Sequence, residues 1–223
     1  MRHENRQSDT FESNLSSADP MQDRKEDMMT PEETKARDTG SGLAGQFLIA
    51  MPSMQDERFE RAVIYLCAHN EEGAMGLVVN KPLSSISFPD LLRQLDIQAS
   101  GDVADNPVLY GGPVESGRGF VLHSTDFVRD ASMRISTDVA LTATIDILKA
   151  IAGGNGPRRH VLTLGYAGWD AGQLDAEIQA NGWLITPADD AILFDHDWST
   201  KWERTFRALG IDAFMLSGQA GNA

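Results

Sequence analysis

The sequence predicts an α+β domain built on a bent, mixed and largely antiparallel sheet flanked by helices. Short apolar segments of strand length are separated by loops that contain Gly, Pro and Asn, and helical periodicity is confined to a few separate stretches. Because these helices neither alternate regularly with the strands nor follow all of them, hairpins in a bent sheet are favoured. A chain of 223 residues is long enough for a single domain with a sizeable core.

The N-terminal segment, residues 1–41, differs from the rest of the chain in composition. It mixes Asp, Glu, Lys and Arg with Ser and Thr, and large apolar residues are rare in it. So few apolar groups cannot offset the entropy of ordering about 40 residues. The sequence therefore predicts a disordered, charged tail over 1–41 and a globular domain over 42–223.

The first strands of the domain are predicted to include a buried hairpin. Residues 46–50 are apolar and end before Met51-Pro52, and two further apolar segments lie at 62–69 and 76–80. The residues between them, starting with 70–73, have the chemistry of a hairpin turn. Both faces of the segment 62–69 are apolar, so we expect it to be a central strand of the sheet.

Two helices are predicted in the middle of the chain. Ser87 is a candidate N-cap of a short helix that reaches Leu95 and has a proline in its first turn. Ser136 or Thr137 is a candidate N-cap of a longer helix that extends to about Ile151. Two glycines follow shortly after this helix and would end it.

Two more helices are predicted in the C-terminal part. One begins at Asp170, with Gln173 at capping-box spacing, and the other begins at Thr200, with Glu203 at the same spacing. The remaining segments have the apolar character of strands. They are residues 108–110, 119–123, 160–164, 183–186 and 192–194.

Charge and cysteine content restrict the classes of function. The formal net charge is −14, and the sequence pI is about 4.6. Nucleic-acid binding draws most of its affinity from Lys and Arg on phosphates, so this composition disfavours direct DNA binding. The same negative charge argues against binding to an anionic membrane surface. With a single cysteine, no apolar signal segment and no run of about 18 apolar residues, we expect a cytoplasmic protein without a membrane segment.

Cys67 and His69 stand two residues apart on a predicted strand and would point to one face. Such a pair suits a nucleophile and its base, or two ligands of a metal. A metal site needs a third ligand, and no second C-x-x-C or H-x-x-x-H pair supplies one. The interpretation we favour is a buried core cysteine beside a histidine at the strand end, so no metal and no cofactor are expected.

Two basic residues are candidates for ligand binding. Lys81 ends a hairpin strand beside Pro82, where its ammonium can point into a cleft or remain a solvated surface charge. Arg118 lies between Gly117 and Gly119, whose small size would let the guanidinium reach a carboxylate or phosphate. The same glycines suit an ordinary hairpin turn. Lys81 is the binding residue we favour most.

The glycine-rich segment Gly165–Trp169 is predicted to lie between a strand and a helix N-terminus. The exposed backbone N–H groups and the helix dipole at such a position favour an anion, and Gly168 and Trp169 would be next to it. The glycine patterns of the Walker and dinucleotide-binding motifs are absent, and Asp170 as an N-cap would occupy the backbone donors. A structural turn with Trp169 packed over it is therefore the interpretation we favour.

His123 is followed by Ser124 and Asp126, a combination of residue types found in hydrolase triads. Triad members meet in space rather than in sequence, and no G-x-S-x-G elbow is present. A serine hydrolase is therefore not favoured. The segment Asp195–Asp197 also carries potential metal ligands, but we expect it to be a loop with surface carboxylates.

Several separated motifs resemble those of the AlgH/YqgE family of bacterial proteins, over roughly residues 42–221. The resemblance implies an α+β fold in which a bent, partly split sheet forms a pseudo-barrel. It also implies a role in transcriptional regulation, and it supplies no catalytic residues. The motifs lie at 51–56 with Phe59, 63–69, 76–82, 110–114, 118–123, 165–174, 183–184, 201–202 and 209–212.

Two functions remain open on the sequence. The first is a regulatory protein that acts through contacts with another protein or through a sensed small ligand. The second is a small-molecule enzyme or binding protein for an anionic ligand, whose binding residues would line one cleft. The sequence leaves the oligomeric state open. The candidate ligand-binding residues are Lys81, Arg118, His123, Gly168 and Trp169.

Overall fold

A computed structural model of the chain describes residues 42–100, 103 and 106–211. The predicted tail over 1–41 lies outside the described residues. Within them, ten strands and five α-helices form a curled, largely antiparallel sheet, or half-barrel, in a single domain. The predicted α+β class is confirmed. None of the described helices is long and apolar enough to cross a membrane.

The elements follow the chain in a hairpin-rich order with helices inserted between strands. The strands are β1 (Gln46–Ala50), β2 (Val63–Asn70), β3 (Gly73–Val78), β4 (Pro82–Ser87), β5 (Pro107–Tyr110), β6 (Val114–Ser124), β7 (Ser132–Arg134), β8 (Val139–Thr142), β9 (His160–Asp170) and β10 (Trp183–Pro187). The helices are α1 (Phe88–Gln94), α2 (Ile145–Ala152), α3 (Gln173–Gln179), α4 (Asp190–Leu193) and α5 (Lys201–Ala208), with a 3-10 turn at Thr125–Phe127.

The sheet is organised around β9, its shared strand. The strand order is β10-β1-β2-β3-β9-β6-β8-β7, and β5 and β4 branch from β9. One edge of β9 pairs with β5 in parallel at its N-terminal half and with β3 in antiparallel at its C-terminal half. The other edge pairs with β6. Because β9 is eleven residues long, it can serve both halves of the sheet.

Gly165 changes the faces to which β9 presents its side chains. Before it, Val161 packs into the central core and Leu162 into the core under α1 and α2. After it, Tyr166 packs against the central core and Trp169 packs into the core under α3. Gly165 has a φ of 73°, which belongs to the left-handed region that favours glycine. The alternation is therefore reset at a β-bulge.

Three apolar cores result from this arrangement. The central core fills the curl of the sheet and is closed by α4 and α5 through Leu193, Trp202 and Phe206. A second core lies between the sheet and the helices α1 and α2, and a third includes the loop before β2 and α3. Each Leu or Phe that is fully buried stabilises the fold by about 1.5–3 kcal/mol.

The connection from β5 to β6 crosses β9 at backbone contact distance. A Cβ atom on Gly111 would lie 2.1 Å from the carbonyl oxygen of Gly165, and one on Gly112 would overlap the β9 backbone as well. The Gly111 N–H donates to the Leu164 carbonyl at 2.8 Å, and the Gly111 carbonyl accepts from the Val78 N–H at 2.9 Å. Gly111 therefore ties β9 to the end of β3.

Several predicted elements are confirmed. The strands at 46–50 and 183–186 and the hairpin near 70–73 are present. Helix α1 begins after Ser87, whose hydroxyl accepts from the Asp90 N–H in a complete capping box. These elements depend on local sequence signals, which explains why they were predictable.

The predicted helix from Ser136 or Thr137 to Ile151 is wrong in its first half. Residues 139–142 form strand β8, because their backbone pairs with β6 on one edge and with β7 on the other. All four side chains are buried. The Ser136 hydroxyl instead accepts from the Val139 N–H in the turn before that strand. Tertiary pairing here overrides helical propensity. Helix α2 begins only at Ile145.

Other local predictions in the C-terminal part also need correction. The predicted strand 192–194 is wrong, because these residues form the second half of the short helix α4 and its C-cap, Phe194. At the start of this helix, the Asp189 carboxylate accepts from the Ala191 N–H. The predicted helix start at Asp170 is wrong, because β9 extends to Asp170 and α3 begins at Gln173. Thr200 is the N-cap of α5 but makes no side-chain cap bond.

Replacing Gly111 by alanine is expected to lower the free energy of unfolding by about 3 kcal/mol, because the added Cβ would overlap fixed backbone. The matched control is Gly117→Ala in the adjoining segment, where an added Cβ meets nothing within 4 Å. That control should change stability by less than about 0.5 kcal/mol. Urea unfolding followed by circular dichroism measures both, and equal effects would contradict the close crossing.

Candidate functional site

A cavity of about 520 Å³ opens between α2, β7 and β8, a volume within the range of small-molecule sites. We call it the Ser132 cavity. Phe127, Ile147 and Ala150 give it apolar walls, whereas polar side chains stand around them. The polar lining residues are Arg129, Asp130, Ser132, Thr142, Thr144, Asp146 and Asn155.

The elements around the Ser132 cavity hold these side chains in defined positions. Ser132 and Thr142 are cross-strand partners in the β7–β8 pair, so they stand side by side on one face of the sheet. The Arg129 guanidinium lies over the Phe127 ring, 4.3 Å from its centroid. Thr144 is the N-cap of α2 and makes no side-chain cap bond.

His123 lies behind the cavity and is fully buried. Its Nε2 atom is 2.8 Å from the Thr142 hydroxyl, which is in turn 2.8 Å from the Ser132 hydroxyl. Its Nδ1 atom is 3.0 Å from the Ser124 carbonyl oxygen. The three side chains therefore form a hydrogen-bonded chain that runs from the core to the cavity wall.

The carbonyl of Ser124 sets the direction of every hydrogen bond in this chain. A carbonyl can only accept, so His123 Nδ1 carries a hydrogen and donates it. In the neutral imidazole, Nε2 must then accept from the Thr142 hydroxyl, and the Thr142 oxygen accepts from Ser132. The Ser132 oxygen also accepts from the Arg129 N–H at 3.1 Å.

Burial keeps the two neighbouring histidines of this region uncharged. Desolvation lowers the pKa of His123, although its bond to the Ser124 carbonyl acts in the opposite direction. Desolvation likewise lowers the pKa of His160, which is the cross-strand partner of His123. Both rings are therefore neutral near pH 7.

Lys81 is held by the loop that precedes β2. Its ammonium donates to the carbonyls of Arg58 at 2.9 Å and Glu57 at 3.4 Å. Desolvation lowers its pKa, and the carboxylates of Glu60 and Asp56 partly offset this effect. These contacts fasten the loop to the segment that follows β3, and the carboxylates of Glu60 and Asp56 lie near enough to act on the ammonium.

Arg118 is packed on the same strand as His123 but on the other face of the sheet. Its guanidinium lies 5.1 Å from the centroid of the Phe120 ring and pairs with the Glu115 carboxylate at 3.1 Å. Only 14% of its side chain is exposed. The predicted glycine-flanked turn is in fact the irregular start of β6, opposite Gly165.

The Gly165–Trp169 segment is strand backbone and α3 begins only at Gln173, so the predicted turn before a helix N-terminus is wrong. Trp169 is buried and donates its indole N–H to the Glu177 carboxylate at 2.9 Å. The same oxygen accepts from the Trp183 indole at 2.8 Å. Gly168 is exposed on β9 beside Tyr166. Trp169 therefore anchors α3 to the sheet.

The candidate residues do not converge on one cleft in the described part of the chain. His123 pairs with His160 at the start of β9, whereas Trp169 is near its end, about 30 Å away along the strand. Arg118 faces the central core side, and Lys81 faces the loop before β2. Only His123 adjoins the Ser132 cavity, and ligand binding by each of the five remains a prediction.

Cys67 and His69 point in different directions, contrary to the sequence prediction. The pairing of β2 with β3 shifts between Leu66 and Ala68, and this bulge breaks the alternation. Cys67 is buried in the central core, where desolvation raises the pKa of its thiol. His69 instead accepts from the Leu43 N–H at 3.3 Å. The interpretation of Cys67 as a core residue is confirmed.

Lys201 is a fully buried amine that sequence reasoning did not single out for chemistry. Its Nζ donates to the Leu193 carbonyl at 3.0 Å and lies 3.7 Å from the Asp195 carboxylate. Burial lowers its pKa to about 8, against the effect of Asp195. The Lys201 ammonium is inaccessible to a ligand. Its hydrogen bond to Leu193 joins α5 to the end of α4. Among the described residues, no group of three or more His, Cys, Asp or Glu is arranged to hold a metal ion.

Sequence reasoning missed Ser132 and Thr142. The predicted helix from Ser136 or Thr137 includes Thr142, and no element is predicted at Ser132. The sequence signal for a hairpin is weak, because 139–142 is mostly apolar whereas 132–134 is mostly polar. Only the pairing of that hairpin with β6 brings the two hydroxyls to His123.

Stability should fall as the pH is lowered from about 6.5, the ordinary pKa of histidine, towards 5. His123 and His160 have lowered pKa values in the folded state, so the unfolded chain binds more protons in this range. Each histidine contributes a slope of at most about 1.4 kcal/mol per pH unit.

Urea unfolding of the wild type, His123→Gln and His160→Gln at several pH values measures this slope. Each replacement should flatten it, since glutamine does not titrate. A wild-type stability that does not change between pH 7 and 5 would contradict the burial of two neutral histidines.

Comparisons with known proteins place this fold in a family. A family model described as AlgH-like, DUF179, matches residues 47–214. A UPF0301 protein of Afipia carboxidovorans is 57% identical over 198 residues, covering 85% of this chain and 94% of its own length. Another, from Methylobacterium nodulans, is 56% identical over 204 residues, covering 86% and 97%.

Solved structures agree with this placement. The solution structure of the AlgH protein from Pseudomonas aeruginosa aligns with a TM-score of 0.67 at 39% identity, covering 89% of this chain and all of the other. A crystal structure of a Corynebacterium diphtheriae protein, at 20% identity and a TM-score of 0.63, covers 78% and 91% and shows the same fold. The chain therefore belongs to the AlgH-like UPF0301 family.

Proposed function

We propose that this protein is a regulator that senses a small ligand in the Ser132 cavity and responds through a contact with another protein. The observation that carries the proposal is the hydrogen-bonded chain Ser132–Thr142–His123 behind the cavity. A buried polar chain of this kind is costly unless every member is satisfied. Here its outer member is exposed to a cavity large enough for a small molecule.

Binding, rather than catalysis, is favoured by the chemistry of this chain. The Ser132 hydroxyl is separated from the imidazole by Thr142, so it is not in direct contact with a general base. The carboxylate of Asp126, the acid of the sequence-level triad, is bound by Ser124 and Arg158 instead. A triad of His123, Ser124 and Asp126 is therefore not supported.

A regulatory output through protein contact fits the distribution of charge. The chain carries a net charge of −14, which opposes duplex DNA. Two arginines that could otherwise contact phosphates are paired with carboxylates: Arg61 with Glu203, and Arg159 with Asp190. The regulatory role is the one implied by the sequence resemblance, and these ion pairs favour a protein partner over DNA.

The elements around the cavity offer a route from ligand to partner. Helix α2 lines the cavity through Ile147 and Ala150 and packs into the core under α1 and α2 through Leu148 and Ile151. On the other side, β7 is the last strand of the sheet order, and its Met133 is 45% exposed. A ligand that shifts α2 or β7 would therefore alter an exposed edge of the sheet that carries Met133.

An anionic ligand held by Lys81, Arg118 and Trp169 together is the weaker candidate. Trp169 and Arg118 are engaged by carboxylates, and Lys81 is engaged by two backbone carbonyls. No single cavity described around these residues brings the three together.

The proposal is tested by native mass spectrometry after incubation with a bacterial metabolite extract. Wild-type protein should retain a small added mass, and Thr142→Val should lose it, because valine keeps the shape of threonine but breaks the hydrogen-bonded chain. The matched control is Thr163→Val, a buried threonine on β9 that is absent from the lining of the Ser132 cavity and should retain the mass.

Circular dichroism first establishes that both variants are folded. If the wild-type protein retains no added small-molecule mass, ligand sensing is contradicted. A mass that persists in Thr142→Val would place the ligand elsewhere.

A further inference from the structure

We infer that the Ser132 cavity binds a small organic ammonium ion, that is, a protonated amine on an apolar body. This inference rests on the proposed function, since it concerns the ligand of the same cavity. The ligand considered on the sequence is an anion, whereas the ligand inferred here is a cation. Three features carry it: the hydrogen-bond polarity of the Ser132 hydroxyl, the charges of the lining, and its apolar walls.

The Ser132 hydroxyl faces the cavity as an acceptor. Its single hydrogen is donated to Thr142, whose own hydrogen is donated to His123. This assignment follows from the Ser124 carbonyl, which obliges His123 Nδ1 to donate. The Ser132 oxygen has two lone pairs, and the Arg129 N–H uses one of them. A ligand that meets the other must bring a donor.

Two carboxylates and one guanidinium are the charged groups of the lining. Asp130 is exposed, and Asp146 is 84% exposed and only 3.7 Å from the exposed Lys149 ammonium, a weak surface pair. The Arg129 guanidinium lies over the Phe127 ring and donates to the Val128 carbonyl. The cavity lining is therefore net negative and rich in acceptors.

Two features of the lining favour an anion: the Arg129 guanidinium, which is outnumbered by the two carboxylates, and the N-terminus of α2. Asp146 lies in the first turn of this helix and offsets the positive end of its dipole. A ligand anion would therefore compete with a carboxylate already in place. At longer range, the net charge of −14 attracts cations and repels anions.

The apolar walls specify the rest of the ligand. Phe127 and Ile147 lie beside the acceptors, so an amine with a short hydrocarbon or aromatic body can bury that body while its ammonium meets Ser132 and the carboxylates. An inorganic cation would leave these walls without a contact. The shared chemistry is therefore a primary amine with an apolar substituent.

The test is a titration with three probes that share one apolar body: 2-phenylethylammonium, 2-phenylethanol and 3-phenylpropanoate. Backbone amide shifts of full-length protein are followed by NMR in about 0.15 M salt, where distant charges are screened. The ammonium probe should shift the amides of Ser132, Thr142 and Ile147 and bind more tightly than the other two.

A pair of charge-matched variants completes the test. Asp130→Asn combined with Asp146→Asn should weaken binding of the ammonium probe by about tenfold. The control combines Asp138→Asn with Asp170→Asn, two exposed carboxylates absent from the cavity lining, and should leave binding within about twofold of the wild type.

Equal or tighter binding of the alcohol or the carboxylate at the same amides would overturn the inference while the cavity remained the site. Absence of shifts at these amides with all three probes would also overturn it. The metabolite experiment with Thr142→Val then decides the proposed function separately, because it does not depend on the charge of the ligand.

Discussion

The close contact of two backbone segments, at Gly111 and Gly165, is the constraint on which the rest of the structure depends. Gly111 can bond to both Leu164 and Val78 only because neither glycine carries a side chain at the crossing. This contact lets β9 pair with β5 in one half and with β3 in the other. The bulge at Gly165 then lets both halves of β9 contribute side chains to the central core.

The same arrangement determines where a site can form. The N-terminal half of β9 supports β6, and β6 carries His123 to a position where β8 covers it. His123 is fully buried, and its hydrogen-bond partners among the described residues are the Ser124 carbonyl and Thr142, which connects it to Ser132. The buried hydrogen bond from His123 to the Ser124 carbonyl thus determines that the Thr142 hydroxyl donates to His123 and the Ser132 hydroxyl donates to Thr142.

Local signals accounted for much of the fold but little of the site. The capping box at Ser87 and the strand at Trp183 could be predicted, because neighbouring residues determine them. The strand β8 could not, since Thr142 is held extended by pairing with both β6 and β7. The continuation of β9 through Gly165 to Asp170 could not be predicted either, because a bulge depends on a partner strand that is distant in sequence.

The tautomer of His123 is the measurement that tests the central claim most directly. Nitrogen chemical shifts of histidine-labelled protein near pH 7 distinguish the two neutral forms and the imidazolium. We expect a neutral ring with hydrogen on Nδ1 and an accepting Nε2, as the Ser124 carbonyl requires. Hydrogen on Nε2 would contradict this, because Thr142 would then accept and Ser132 would be free to donate into the cavity.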